Sequence, residues 1–181
     1  MRTDPVRILD ATLFAARAHS GQLRKGAAAE PYVNHVIEVA ALLADHGAPI
    51  DIVVAGLLHD TVEDTAITEA DLVTNFGADV AAIVMEATDD KTLPKEVRKG
   101  LQVTHASAHS SAGKMVKLAD KIANLRAIAE SPPVSWDHAR QVEYVGWAGR
   151  VAGGLKGASA TLDALFDTTY RAAIARLAAD A

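Results

Sequence analysis

The adjacent pair His59-Asp60 stands at the polar end of an apolar segment, IDIVVAGLL. Ionisable side chains at such a position are costly to bury unless a partner satisfies them. A divalent metal would satisfy both, because imidazole nitrogen and carboxylate oxygen together suit Mn²⁺, Fe²⁺ or Zn²⁺. The alternative is a helix-capping aspartate beside a half-buried histidine. One such dipeptide is a weak signal, so the metal hypothesis needs further ligands elsewhere in the chain.

Two more positions supply candidate ligands. His35 lies within the apolar stretch YVNHVIEVAALL, and Asp120 ends the stretch KMVKLAD. Taken singly, they read as a hydrogen-bonded core histidine and as an ion-pair partner of Lys117 or Lys121. One shared ion explains the set more economically than separate accidents, and it leaves coordination positions free for water and substrate. The predicted metal ligands are His35, His59, Asp60 and Asp120.

Glu63 and Asp64 follow directly after the histidine–aspartate pair. If the helix continues through this segment, Glu63 lies four residues beyond His59 on the same face. Two carboxylates beside a metal can hold a water molecule or accept its proton. The alternative is a solvated acidic helix end. We predict that Glu63 and Asp64 are the catalytic carboxylates.

Basic, amide and aromatic residues are candidates for substrate contacts. The basic ones lie in loops or near helix starts: Arg24, Lys25, Lys91, Lys95, Arg98 and Lys99. If they line the metal cleft, they supply the positive charge that a polyphosphate requires; otherwise they are solvated. Asn124, one turn after Asp120, suits a substrate contact, the ordering of the metal ligands, or a surface amide. Tyr144 and Trp147 lie three residues apart on one predicted helix face. They could stack on a nucleotide base or pack together in the core.

Composition limits the class of protein. The chain has 181 residues, of which 50% are hydrophobic, 23% charged and 4% aromatic, which predicts one domain with closely packed helices. It has no cysteine, which excludes thiolate nucleophiles and zinc–cysteine sites. A net charge of −5 disfavours general nucleic-acid binding. The chain lacks a signal-peptide pattern and any apolar run of about 18–20 residues, so we expect a cytoplasmic protein without membrane contact.

Helical periodicity dominates the elements that must position these residues. Asp4 is the predicted N-cap of the first helix, with Pro5 at the first helical position, and Thr68 to Asp71 is a predicted capping box. Ser135 is the predicted cap of a later helix. Nothing reads as a sheet, so the predicted class is all-α. The predicted helices cover about 5–20, 31–46, 49–65, 68–76, a stretch ending near 87, a charged segment from 94, 115–130, 135–151 and 159–177.

Five segments resemble one family. They are RKG with PYVNH, LLHDTVEDT, TDDKTLPK, KLADKIANL and EYVGWA, and they run from about Arg24 to Trp147. With them the chain resembles the HD-domain hydrolases of the RelA/SpoT class, particularly the small stand-alone hydrolases of metazoan type. The combination of LLHDTVEDT and KLADKIANL at this separation is specific, where a bare histidine–aspartate pair is not.

The resemblance implies a fold, an activity and a set of roles. The fold is an all-helical HD-domain bundle, here one metal-dependent phosphohydrolase domain over 1–181 without room for a synthetase or regulatory domain. The activity is removal of the 3′-pyrophosphate from guanosine tetra- or pentaphosphate. The implied Mn²⁺ ligands are His35, His59, Asp60 and Asp120, the acidic pair is Glu63 and Asp64, and the substrate contacts are Arg24, Lys25, Lys95, Asn124 and Tyr144.

Other functions remain open at this point. A hydrolase of this kind could instead act as an NADPH 2′-phosphatase or on another nucleotide. A non-enzymatic helical module that binds a nucleotide or a protein would be expected to lack one of the ligands. In a purely structural bundle, the same ionisable residues would make only ion pairs. The oligomeric state does not follow from the sequence.

Overall fold

The computed structural model describes residues 3–179. Apart from two isolated bridges, all regular secondary structure in these residues is helical, and none of them forms a strand. The predicted all-α class is therefore confirmed. A short 3-10 turn occupies Ala106–Ala108. The α-helices are α1 (Asp4–Ala18), α2 (Val33–Asp45), α3 (Ile50–Leu58), α4 (Thr61–Asp64), α5 (Glu69–Phe76), α6 (Ala78–Ala87), α7 (Lys95–His105), α8 (Ser111–Glu130), α9 (His138–Leu155) and α10 (Ala160–Ala179).

Two helices form the centre of the bundle. Helix α8 packs against α2, α3, α6, α9 and α10, and α3 packs against α1, α2, α6 and α8. A helix that is apolar on all sides must be enclosed by others, and every residue from Ile52 to Leu58 is buried. Gly56 allows close approach of α2, since a Cβ built there would lie 2.5 Å from Leu43 Cδ1. The C-terminal end of α3 and the middle of α8 thus carry polar residues inside the molecule.

The predicted continuous helix over 49–65 was wrong. Helix α3 ends at Leu58, and the single turn α4 begins at Thr61. Asp60 has φ −97° and ψ −4°, and the Thr61 hydroxyl donates to the Leu58 carbonyl at 2.7 Å. A threonine hydroxyl that binds a carbonyl of the preceding turn competes with the helical pattern. His59 and Glu63 therefore do not lie on one face of a single helix.

The caps of the other helices agree only in part with the caps predicted from the sequence. The Thr68–Asp71 capping box is present, with both reciprocal bonds. Ser135 is not the cap of α9: the Asp137 side chain accepts from the backbone N–H of Arg140, and α9 begins after it. This helix also extends beyond the predicted end, to Leu155. The first helix begins one residue earlier than predicted, with Thr3 as its cap.

Within residues 3–179, no helix combines the length and the apolar character needed to cross a bilayer. The longest helices, α8 and α10, have 20 residues each. Both carry charged side chains along their length. They belong to the bundle and pack against each other.

Candidate metal centre and active site

The four predicted metal ligands come together from separate elements. His35 is on α2, His59 and Asp60 follow α3, and Asp120 is on α8. Ligand atoms of His35, His59 and Asp120 all lie within 4.8 Å of one another. His35 Nε2 is 3.2 Å from Asp120 Oδ1 and 3.6 Å from Asp60 Oδ2, and His59 Nε2 is 3.1 Å from Asp60 Oδ2. Two imidazoles and two carboxylates therefore face one centre.

Hydrogen bonds to neighbouring groups orient three of these side chains. His59 Nδ1 lies 2.9 Å from the Gly56 carbonyl, which turns Nε2 toward the centre. Asp60 Oδ2 accepts from the Tyr32 hydroxyl at 2.6 Å. Asp120 accepts at both oxygens, from Asn124 Nδ2 at 2.5 Å and from Lys121 Nζ at 2.9 Å. Metal-binding histidines commonly donate their second ring N–H to a carbonyl in this way.

The charges at the centre depend on one another. Burial alone would lower the pKa of His59, but the carboxylates of Asp60 and Asp120 outweigh burial and hold this pKa well above its usual range. Burial alone would raise the pKa of Asp120, but Lys121 and the two histidines hold it well below its usual range. His59 Nε2 is buried and has no hydrogen-bond partner. An orphaned imidazole nitrogen facing two carboxylates is a donor set that fits a divalent cation.

The acidic pair lies beside this centre. Glu63 and Asp64 line the same cavity of about 160 Å³ as the four ligands. Glu63 Oε2 accepts from the backbone N–H of Asp89 at 3.0 Å, and the Arg98 guanidinium is 3.7 Å from Oε1. Burial, together with the nearby carboxylates of Asp89, Asp60 and Asp64, raises the pKa of Glu63. Asp64 forms an ion pair with Lys91.

A larger cavity of about 560 Å³ adjoins the metal cavity and shares a wall with it. Four of the five predicted substrate contacts line this larger cavity: Arg24, Lys25, Asn124 and Tyr144. The Arg24 guanidinium donates to Asn124 Oδ1 at 3.0 Å, so both ends of the Asn124 amide are engaged. Burial raises the pKa of Tyr144 to about 12. A ligand in this cavity would touch the basic loop and reach the metal centre.

Lys95 is the predicted contact that the structure does not bring to this cavity. It is exposed at the first residue of α7 and lines neither of the two cavities. Lys99 bonds Glu143 at 2.6 Å instead of facing either cavity. Trp147 is buried and donates to the Lys99 carbonyl at 3.0 Å, which makes it a core residue. Its partner in the predicted pair, Tyr144, is the one that faces the cavity.

Some residues of the site carried little signal in the sequence. Tyr32 lines both cavities, and its hydroxyl holds Asp60. Two buried lysines, Lys117 and Lys121, also line the metal cavity. The Lys121 ion pair with Asp120 exists beside the histidines, so the ion-pair interpretation and the metal interpretation of Asp120 both apply. Lys117 donates to the Ala87 carbonyl at 3.1 Å, and burial lowers its pKa.

An all-helical bundle with a histidine–aspartate centre between three segments defines a class, the HD-type helical domains. Residues 11–148 match the family model described as "HD domain". The chain belongs to the HD domain family, as the motifs around the two histidines predict.

Named relatives narrow the placement within this family. The chain is 46% identical to the guanosine-3′,5′-bis(diphosphate) 3′-pyrophosphohydrolase MESH1 of Xenopus tropicalis, over 94% of this chain and 96% of the relative. The chain is 47% identical to the Homo sapiens MESH1, over 90% of this chain and 92% of the relative. A solved structure of a metazoan ortholog of SpoT that hydrolyses ppGpp superimposes with a TM-score of 0.88 at 39% identity, covering 91% of this chain and 94% of that chain. These matches confirm the resemblance to small stand-alone hydrolases of the RelA/SpoT class.

Proposed function

We propose that this chain hydrolyses guanosine tetra- or pentaphosphate, releasing pyrophosphate from the 3′ position and leaving GDP or GTP. The observation that carries the proposal is the four-ligand centre, with its acidic pair, that shares a wall with the cavity containing Arg24 and Lys25. That arrangement places a metal and cations where a nucleotide bearing two phosphate chains would need them. The MESH1 relatives, named for this reaction, support the same substrate.

We propose Mn²⁺ as the metal, held by His35, His59, Asp60 and Asp120. Mixed imidazole and carboxylate ligands suit Mn²⁺ among the first-row divalent ions. A divalent cation at this centre supplies Lewis acidity toward water and phosphoryl oxygens. The two carboxylates offset its charge, and the Tyr32, Asn124 and Lys121 hydrogen bonds keep those carboxylates in place.

The acidic pair orients the attacking water and accepts its proton. Glu63 is the better proton acceptor, because burial raises its pKa and so strengthens its affinity for a proton. Asp64 orients the water and is itself anchored by Lys91. In the reaction the water oxygen forms a bond to the phosphorus on the 3′ oxygen. The bond between that phosphorus and the 3′ oxygen breaks, and the 3′ oxygen leaves as a hydroxyl after taking up a proton.

The remaining predicted residues bind the substrate. Arg24 and Lys25 neutralise the phosphate chains. Lys95 remains a proposed phosphate contact on the resemblance of its motif alone, because it lines neither cavity. Asn124 and Tyr144 face the nucleoside. Because Asn124 also holds Asp120, its amide joins the nucleoside side of the cavity to the metal side.

A two-substrate assay tests this proposal. The purified chain with added Mn²⁺ is given guanosine tetraphosphate or NADPH, and GDP, pyrophosphate and inorganic phosphate are measured. We expect GDP and pyrophosphate in equal amounts from the first substrate, and Asp60→Ala to abolish them. Phosphate release from NADPH with no turnover of guanosine tetraphosphate would reject the proposal and make the chain a 2′-phosphatase. Tight nucleotide binding without any turnover would make it a binding module.

We also propose that the chain acts as one domain over 1–181 and that it works in the cytoplasm. Its proposed partner is a small-molecule nucleotide, and we propose neither a nucleic acid nor a membrane as partner. Helix α10 lies beyond the matched family region, yet it packs against α8 and α9 of the same core. The net charge of −5 disfavours binding to a phosphate backbone. We expect a single cooperative unfolding transition by calorimetry, since one shared core unfolds as a unit; two separated transitions would contradict one domain.

A further inference from the structure

The acidic turn, defined as Asp60 with helix α4, is weakly held by its own structure. Helix α4 has four residues, and a single helical turn is not stable by itself. Thr61 is its one fully buried residue, and Val62 is partly buried against the core. The turn nevertheless carries a metal ligand and both proposed catalytic carboxylates. Something outside α4 must therefore fix its position to within the fraction of an ångström that catalysis requires.

Gln22 makes one of the external attachments. It lies in the loop between α1 and α2, and its Nε2 donates to the Asp64 carbonyl at 3.0 Å. Its Oε1 lies 2.9 Å from Nδ1 of the buried His19, so the amide is anchored at its second atom as well. The Gln22 backbone is fixed too, by bonds from its N–H to the His19 carbonyl and from Tyr32 N–H to its own carbonyl. The loop thus holds the end of α4 through one rigid side chain.

Tyr32 makes the second attachment, at the other end of the turn. Its hydroxyl donates to Asp60 Oδ2 at 2.6 Å. Its ring lies between two histidines, with centroids 5.0 Å from His19 and 5.6 Å from His35. The ring is therefore confined while the hydroxyl holds the ligand. The loop that carries the basic residues Arg24 and Lys25 is bonded in this way to both ends of the acidic turn.

We propose that Gln22 and Tyr32 are positioning residues that bind the acidic turn to the basic loop, Gln22 setting the place of the catalytic carboxylates and Tyr32 setting that of the metal ligand Asp60. The part concerning Gln22 rests on the proposed hydrolase function. The two residues act on different quantities, because Gln22 contacts no metal ligand whereas Tyr32 contacts one. Loss of Gln22 should lower kcat, and loss of the Tyr32 hydroxyl should weaken metal binding.

The first experiment measures turnover in Gln22→Met and Gln22→Glu. Methionine keeps the length and removes both bonds, while glutamate keeps the acceptor for His19 and removes the donor to Asp64. We expect kcat to fall about tenfold in both, with KM within about twofold and Mn²⁺ affinity unchanged. Asn75→Ala removes a comparable amide-to-carbonyl bond on α5 and should leave kcat as it is. Wild-type kcat in Gln22→Glu, or a loss of Mn²⁺ affinity equal to the loss of kcat, would overturn the role of Gln22.

The second experiment measures Mn²⁺ binding to Tyr32→Phe by titration calorimetry, without substrate. We expect affinity to fall about 10–100-fold, as when other outer partners of metal ligands are removed. Saturating Mn²⁺ should restore most of kcat. Tyr170→Phe, a half-buried tyrosine on α10, is the matched control and should bind Mn²⁺ like the wild type. Unchanged affinity in Tyr32→Phe would overturn the role of Tyr32. Because the Mn²⁺ titration needs no substrate, its result tests the role of Tyr32 even if the chain has no hydrolase activity.

Discussion

At the scale of the residue, hydrogen bonds within the protein hold two of the four metal ligands by their carboxylates. Asp120 is bonded at both oxygens, by Asn124 and by Lys121, and Asp60 is bonded by Tyr32. Side chains with locked orientations need little reorganisation on binding, which favours affinity and precise placement of the substrate. Glu63 is bonded to Asp89 instead, so it is free of the ligand set. Substitution of a metal ligand should therefore weaken metal binding, whereas substitution of Glu63 should lower turnover without weakening metal binding.

Asp60→Ala and Glu63→Gln test this separation. We expect Asp60→Ala to lose Mn²⁺ affinity beyond the roughly 10–100-fold that removal of an outer partner costs, and to lose activity with it. Glu63→Gln should keep Mn²⁺ affinity and lose about 10²–10⁴-fold in kcat, the usual contribution of a general base. Titration calorimetry and steady-state assays measure the two quantities. Full activity in Glu63→Gln would remove that residue from the mechanism.

The raised pKa of Glu63 predicts a pH profile. A base must be deprotonated to act, so kcat should fall as the pH falls through this pKa, above the usual range of a glutamate. Arg98→Met should move the acidic limb to still higher pH, because its guanidinium lies 3.7 Å from the carboxylate and favours the charged form. The measurement is kcat against pH at saturating Mn²⁺. An acidic limb unmoved in Arg98→Met would assign it to another group.

At the scale of the element, the break between α3 and α4 is decisive. Helix α3 is enclosed by α1, α2, α6 and α8, so His59 and Asp60 leave it at a fixed point inside the bundle. Close packing of α2 on α3 sets the separation of His35 from His59, and Gly56 permits that approach. The geometry of the centre consequently depends on helix packing as much as on the ligands themselves.

Two glycine-to-alanine substitutions test this dependence, because we expect them to change the free energy of unfolding in opposite directions. In Gly56→Ala the new Cβ would meet Leu43 Cδ1 at 2.5 Å in the core, so we expect a loss of about 1–3 kcal/mol in the free energy of unfolding. In Gly100→Ala, on α7, a Cβ has nothing within 4 Å, and alanine should stabilise the helix by up to about 1 kcal/mol. Urea denaturation measures both. Equal stability of the two variants would contradict the tight packing of α2 on α3.

At the scale of the whole molecule, the metal centre joins parts of the bundle that are distant in sequence. His35 lies on α2, His59 directly follows α3 and Asp120 lies on α8, so a cation bound there would connect these three parts of the bundle. The unfolded chain cannot hold these ligands together. A cation that binds the folded state alone stabilises that state by mass action.

Mn²⁺ should therefore raise the melting temperature. At a Mn²⁺ concentration 100 times its dissociation constant, the stabilisation is about 2.7 kcal/mol, which corresponds to roughly 5–10 °C for a chain of this size. Chelation should reverse the shift, and Asp60→Ala should show none. Differential scanning fluorimetry with and without Mn²⁺ measures it. A wild-type melting temperature independent of Mn²⁺ would favour a bundle in which these residues make only ion pairs.

The sequence by itself determined the helices and the types of chemistry available. Apolar spacing and the Thr68–Asp71 capping box are local signals, and a helix is a local structure, so they predict it well. The motifs around His35, His59, Asp60 and Asp120 identified the family. Tertiary structure decided that both ends of the Asn124 amide are engaged, that Lys95 lies outside both cavities, and that Tyr32 holds Asp60. These features arise from packing between distant segments, whose energies no local pattern records.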